Sequence, residues 1–252
     1  MIKLKTEEEI KKIKEGGHLL AKIIHDVAKK TKEGVATREL DWLAENSILK
    51  YGGEPAFKNY QPDFSLRPFP ATLCVSVNNI IVHGIPGNYL LRNGDLVKLD
   101  LGMKYKDFFT DIAITVKVGK VSSIANRLVM TTKRALDLAI AAAQEGATLG
   151  DIGHAIDYYV RSQGFYTIKA LCGHGVGYTP HEEPDVLNYG EPHKGLKLKD
   201  GMVIAIEPMV AVDTSDVIEL PDGSFATKTG CLAAHFEHTI AVTSRGPIIL
   251  TK

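Results

Sequence analysis

Five residues, Asp100, Asp111, His174, Glu207 and Glu237, stand in short, chemically unusual contexts and together read as the donor set of a dinuclear metal centre. Four carboxylates carry four negative charges, which two divalent cations balance, so the group is expected to be buried only with its cations. Oxygen donors with a single imidazole suit Mn, Fe or Co better than an all-thiolate zinc site does.

Asp100 lies in DLVKLDLG, and Asp111 opens DIAITVKVG, where Ile112, Ile114, Val116 and Val118 alternate with the other face of a strand. A hairpin turning between Tyr105 and Lys106 sets Asp100 opposite Asp111, with Cβ atoms about 4.5–5.5 Å apart. Like charges so placed are destabilising unless a cation lies between them or one is protonated. For either aspartate alone, a turn cap or a solvent-facing position is as good an explanation. Glu207, in MVIAIEP, ends an apolar strand that Pro208 keeps extended. Glu237, in AHFEHTIAV, shares a face with His235, Thr239 and Ala241. An edge-strand salt bridge accounts for either glutamate singly. The pair, mirroring Asp100 and Asp111 in the second half, points to a metal. GHGVGYTPHEEP, residues 173 to 184, surrounds His174 with glycines that permit close backbone approach, and His181 follows; a surface loop with incidental histidines is the plainer alternative. His83 ends the apolar strand of VNNIIVHGIPG and is either a satisfied structural histidine or part of the site.

These residues need elements to hold them. Thr6 with Glu9 reads as a capping box, opening an amphipathic helix through Ile10, Ile13, Leu20, Ile24 and Val27 that runs up to Gly34. Thr37 caps a second helix that Gly52-Gly53 ends. From about Ala71 the texture becomes β-branched alternation. The order then repeats: an alanine-rich helix over 122 to 145, a Thr148–Asp151 capping box, a helix to about Gly164, then strands. EGVATREL at 33 to 40 resembles EGATLGDI at 145 to 152 with a one-residue slip, which favours one domain, 1–252, made of related halves of about 1–120 and 121–252. The proline-rich stretch of Pro55, Pro62, Pro68 and Pro70 is the expected irregular loop, and its aromatics Phe57, Tyr60, Phe64 and Phe69 line a pocket or cover the core.

Composition is that of an ordinary globular chain: of 252 residues 44% are apolar and 24% charged, with 30 basic residues balancing 30 acidic ones. This balance gives no general reason to expect nucleic acid or a membrane surface. The charged N-terminus lacks the apolar run of a signal or anchor, and no later segment reaches about 18 apolar residues. Three distant cysteines, Cys74, Cys172 and Cys231, argue against a disulfide framework, so a cytoplasmic location is expected.

SVNNIIVHGIP, the Asp100–Asp111 pair, CGHGVGYTPHEEP, GMVIAIEPM and HFEHTIAVT occur in the order and spacing of type I methionine aminopeptidases, and this resemblance covers nearly the whole chain. It implies the α/β (α+β) pita-bread fold: duplicated halves related by a pseudo-two-fold axis, with a curved antiparallel sheet covered by helices. It implies Asp100 as ligand of one metal, His174 and Glu207 as ligands of the other, and Asp111 and Glu237 as bridging carboxylates. His83 and His181 resemble outer-shell histidines that contact the scissile peptide, and Glu207 resembles the proton-transfer residue. The implied reaction is removal of the N-terminal methionine of nascent chains, preferably before a small second residue, by a hydroxide bridging two divalent ions (Co, Mn, Fe or Zn). The expected partner is the nascent N-terminus, at the ribosome or after release, and the expected state is a monomer without direct nucleic-acid or membrane contact. Cys74, Phe69, His83 and Tyr60 match the methionine-pocket side of the pattern. Phe225 stands where many members carry tryptophan, which reshapes that pocket. Tyr178 and Pro180 fall at variable positions, and TDIAI, residues 110 to 114, moves that stretch towards X-Pro peptidases. Two alternatives remain: an X-Pro aminopeptidase or dipeptidase of the same fold, which usually carries a further N-terminal domain and lacks NNIIVHGIP, and a non-catalytic binding relative, which is expected to have lost ligands.

Overall fold

Local capping chemistry sets the helix starts. In the computed structural model, which describes residues 2–61 and 67–252, Thr6 caps α1 (Glu7–Lys30). Its hydroxyl accepts from Glu9 N at 3.3 Å while Glu9 Oε2 accepts from Thr6 N at 2.8 Å, closing the capping box. Pro62 and Phe64 of the proline-rich loop lie outside the described residues. The second helix, α2 (Thr37–Lys50), corrects the expected cap: Ala36 is the N-cap, and its N–H donates to Glu39 Oε1 at 3.1 Å. Thr37 instead donates its hydroxyl to Gly87 O at 3.1 Å and accepts from Gly87 N at 2.8 Å. A partner fifty residues away has taken the hydroxyl that the local pattern assigns to the helix end.

Strands β1 (Glu54–Pro55), β2 (Leu73–Val77), β3 (Ile80–Val82), β4 (Leu96–Tyr105) and β5 (Phe108–Lys117) follow. The order then recurs with α3 (Ser123–Ala142), capped by Ser122, and α4 (Leu149–Ser162), whose Thr148–Asp151 capping box is present. After these come β6 (Tyr166–Thr167), β7 (Cys172–Gly175), β8 (Glu182–Leu187), β9 (Val203–Ile206) and β10 (Met209–Ala211). The last are β11 (Val217–Glu219), β12 (Phe225–Thr227), β13 (Ala233–His235), β14 (His238–Ala241) and β15 (Ile248–Ile249). No described helix is long and apolar enough to cross a membrane.

The two inter-helix turns repeat atom for atom in their hydrogen bonding. Gly34 and Gly146 adopt left-handed φ of 84° and 83°. Gly34 N donates to Leu91 O and Gly146 N to Leu198 O; in return Leu91 N donates to Val35 O and Leu198 N to Ala147 O. Ala36 and Thr148 each form an isolated antiparallel bridge. Residue 34 thus answers to 146 and 36 to 148, an even offset that removes the slip in the sequence match.

All named strand pairs are antiparallel. One sheet runs β1-β4-β2 with β5 also on β4, another β15-β14-β9-β7-β8, and smaller ones join β13-β10-β6 and β11-β12-β3. The β4–β5 hairpin corrects the expected register. Its turn is made by Lys106 and Asp107, at φ 48° and 69°, with Tyr105 opposite Phe108, as a two-residue turn with both central residues left-handed requires. Closure directly between Tyr105 and Lys106 leaves no residues to make the turn. Asp100 therefore faces Ala113, and Asp111 faces Gly102. A shift of two residues preserves the side-chain face, so the two aspartates remain diagonal neighbours.

Helices α1 and α2 bury Leu20, Ile24, Leu40 and Ile48 against Leu73, Leu99 and Leu101 of the first sheet. Helices α3 and α4 do the same with Leu128, Leu136, Ile152 and Ile156 against Ile204, Ile206 and Ile240. Between these cores β5 meets β13 and β14 in a seam of three linked pairs. Asp111 N donates to Thr239 Oγ1 at 2.9 Å, and Thr239 Oγ1 donates to Asp111 O at 2.8 Å. Glu237 N donates to Ala113 O at 2.8 Å. Thr115 Oγ1 donates to His235 O at 2.7 Å and accepts from His235 N at 3.0 Å.

Candidate metal centre and active site

The seam is where the predicted donors meet. Asp100 comes from β4, Asp111 from β5 and His174 from β7; Glu207 lies at the break between β9 and β10, and Glu237 at the break between β13 and β14. Gly173 and Gly175 flank His174 because a Cβ at either would lie 2.3 Å from a carbonyl oxygen, of Ala205 or Glu183 respectively. Only Gly177 of that loop has positive φ. Close approach, more than unusual dihedrals, explains the glycines around His174.

Donor atoms of Asp111, His174 and Glu237 lie within 4.8 Å of one another, and so do those of Glu207, His235 and Glu237. Glu237 belongs to both groups. His174 Nε2 is 3.6 Å from Glu207 Oε1. Asp100 lies within hydrogen-bonding reach of Asp111 and of Cys74, its cross-strand partner on β2. All five sequence-selected donors are thus brought together. His235, which the sequence marked only as sharing a strand face with Glu237, joins them: its Nε2 is 3.4 Å from Glu207 Oε2.

The electrostatics show what this group lacks. Burial, with neighbouring carboxylate charge second, pushes the Asp100, Glu207 and Glu237 carboxyls well above the ordinary range. Burial raises Asp111 to about 7. Asp100 Oδ1, Asp111 Oδ1 and Glu237 Oε1 are buried without a hydrogen-bond partner among the described residues. Desolvated carboxylate oxygens with no protein donor fit divalent cations. His174 fits equally well. Its Nδ1 is 2.9 Å from Gly175 O, and since a carbonyl only accepts, Nδ1 carries the proton and Nε2 keeps its lone pair towards Glu207. Burial lowers His174 to about 4, so the imidazole is neutral, as a ligand must be.

The other predicted site residues form three groups around this cluster. His181 lies with its ring centroid 4.3 Å from that of His174 and stacks on Tyr60 at 5.4 Å, with Tyr60 Oη 3.2 Å from His181 Nδ1. His83, at the left-handed φ of 58°, meets Phe225 edge-on at 5.5 Å; β12 pairs with β3 and sets Phe225 against Val82. Such backbone strain in a non-glycine residue is typical of functional positions. Phe69 packs against the cluster of Ala56, Phe57 and Cys74. Burial lowers His83 to about 4 and His181 to about 3, so both are neutral donors or acceptors at physiological pH. Two surface clefts, of about 440 Å³ beside Arg161 and about 700 Å³ beside Trp42, contain none of these residues.

Two helix-covered halves joined at a seam of buried carboxylates and imidazoles define a metallohydrolase of the pita-bread class. The metallopeptidase family M24 model matches residues 11–244, and the chain belongs to that family and, within it, to the methionine aminopeptidases. It is 44% identical to the methionine aminopeptidase of Aquifex aeolicus, covering 100% of this chain and 99% of that one. It is 41% identical to methionine aminopeptidase 1 of Bacillus subtilis, covering 100% of both. The crystal structure of the Thermotoga maritima methionine aminopeptidase superposes with a TM-score of 0.96 at 38% identity, covering 100% of both chains. A prolidase from Pyrococcus horikoshii gives a TM-score of 0.79 at 26% identity and covers 99% of this chain but 63% of its own.

Proposed function

We propose that this chain is a metal-dependent methionine aminopeptidase that removes the N-terminal methionine of nascent proteins and peptides, preferably when the second residue is small. The observation that carries this reading is the set of buried, partnerless carboxylate oxygens at the seam, in a chain whose full-length relatives are methionine aminopeptidases.

The residues that would hold two divalent ions, drawn from Co, Mn, Fe or Zn, are Asp100, Asp111, His174, Glu207 and Glu237, of which Glu237 belongs to both donor groups. When bound, such ions lower the pKa of water from about 15.7 towards neutrality, polarise a peptide carbonyl and hold a free α-amine. Glu207 takes the proton of the attacking water and returns it to the leaving amine. His181 supports the developing oxyanion in the tautomer whose Nδ1, 3.2 Å from the Tyr60 hydroxyl, accepts from it: the proton then sits at Nε2 and is donated there, a contribution of about 2.7–4 kcal/mol in comparable sites. His83, held beside Phe225, contacts the scissile peptide. Cys74, Phe69, Tyr60 and Phe225 form the methionine pocket, whose apolar, polarisable walls suit a thioether.

The single catalytic domain is read as spanning 1–252, with halves dividing near 120. A cytoplasmic monomer acting on nascent N-termini, at the ribosome or after release, completes the reading. The test is metal-stripped protein reconstituted separately with Mn, Fe, Co and Zn and assayed on Met-Ala-Ser, Met-Lys-Ser and Gly-Pro. Release of methionine chiefly from Met-Ala-Ser is expected; preference for the Gly-Pro bond assigns the chain to X-Pro chemistry instead.

A further inference from the structure

We propose that His235 is a sixth donor to the metal centre, a second imidazole that binds through Nε2 on the side where Glu207 and Glu237 meet. This rests on the reading that the seam carboxylates hold divalent ions, and it adds a residue outside the five-ligand set.

His235 is 1% exposed, and neither ring nitrogen has a hydrogen-bond partner among the described residues. A structural histidine at that depth ordinarily bonds at least one nitrogen, because an imidazole desolvated without partners is costly. The ring is also aimed. His235 and Glu237 are two residues apart across the break between β13 and β14, and donor atoms of His235, Glu207 and Glu237 lie within 4.8 Å of one another. Nε2 lies 3.4 Å from Glu207 Oε2. Two donors about 2.1 Å from one ion, at a tetrahedral angle, are separated by about that distance. On the other side of the same carboxylate, His174 Nε2 lies 3.6 Å from Oε1. Glu207 thus sits between two imidazoles, one to each oxygen.

The position is pinned by its backbone. Thr115 bonds both the N–H and the carbonyl of His235, and His235 pairs with Met209 across β10. The imidazole is therefore presented from a fixed point on a sheet, as a ligand requires and as surface histidines lack. With two nitrogen donors among four carboxylates, the centre moves towards borderline ions such as Co, Fe and Zn and away from Mn.

The test uses the full chain with cobalt as probe. Wild type and His235→Gln are stripped, checked for equal helical content by circular dichroism, and titrated with Co(II) by calorimetry and visible absorption. The expected result is affinity weakened by more than the roughly 10–100-fold that loss of an outer-shell partner costs, with an altered cobalt spectrum. In cobalt-loaded wild type, proton NMR is expected to show two strongly shifted, solvent-exchangeable imidazole N–H signals. One such signal in wild type, or a variant with wild-type affinity and spectrum, overturns the assignment of His235. If the variant fails to fold, the count of shifted signals in wild type decides alone. Wild type that binds no cobalt overturns the broader metalloenzyme reading instead.

Discussion

Lys5 and Glu182, 177 residues apart, form an ion pair of 2.6 Å whose side chains are 2% and 10% exposed. Glu182 follows His181 directly, and its other oxygen accepts from Thr179 N at 3.0 Å and from Tyr178 N. The Lys5 ammonium also lies over the Tyr178 ring at 4.9 Å, and the Tyr178 hydroxyl donates to Glu9 Oε1 at 2.9 Å. The first residues of the chain thus tie down the loop that carries His181.

Removing one partner of such a pair leaves a buried charge uncompensated. Lys5→Met is therefore expected to lose about 3–5 kcal/mol of unfolding free energy, and Lys5→Arg to restore part of it. Urea denaturation measures both; a loss below about 1 kcal/mol for Lys5→Met, the range of surface pairs, counts against a structural clamp.

In metal-stripped protein the contribution of Asp111 to stability is expected to fall as pH rises. Asp111 titrates near 7 when folded, against an ordinary 3.8. For Asp111 the folded state binds more protons than the unfolded one between those values, so its contribution to stability is greatest below about pH 4 and declines towards pH 7, while the neutral buried imidazoles of His83, His174 and His181 contribute in the opposite direction. The shift corresponds to something on the order of 4 kcal/mol. Unfolding curves of chelated wild type and Asp111→Asn at a series of pH values should diverge with this slope; parallel profiles refute the linkage.

Tyr60→Phe removes the hydroxyl at His181 Nδ1 while keeping the stacked ring. One hydrogen bond to that imidazole, worth about 0.5–1.5 kcal/mol, converts to a fall in kcat of up to roughly tenfold with KM little changed. Steady-state kinetics on Met-Ala-Ser will show it, and an unchanged kcat removes Tyr60 from the proposed proton arrangement.

Thr239→Val keeps the side-chain shape but strips Asp111 of both of its seam hydrogen bonds. Two buried backbone groups are left unsatisfied at about 1–3 kcal/mol each, and Asp111 is no longer held in register with Glu237. Lower thermal stability together with weaker cobalt binding is expected; wild-type values for both mean that the seam tolerates the loss.

Much of this was legible where the chemistry is local. The capping boxes of Thr6 with Glu9 and of Thr148 with Asp151 are closed within four residues, so sequence alone locates them. Asp100, Asp111, His174, Glu207 and Glu237 were picked out because acids at apolar strand ends and a histidine among glycines need an explanation wherever they occur. Non-local contacts were hidden. The local pattern misplaces Thr37 because Gly87 claims its hydroxyl, and it slips the hairpin register because no local signal marks Lys106 and Asp107 as the left-handed pair. His235 became visible as a neighbour of Glu207 only when β10 and β13 were paired.

The threonine-bridged seam has a mechanical consequence. Asp111 and Glu237 come from opposite sides of a junction that Thr115 and Thr239 hold by side-chain hydroxyls in place of a full backbone ladder. A cation held by those two carboxylates would act there as a rivet. Ion binding and the cohesion of the seam would then be linked, each strengthening the other.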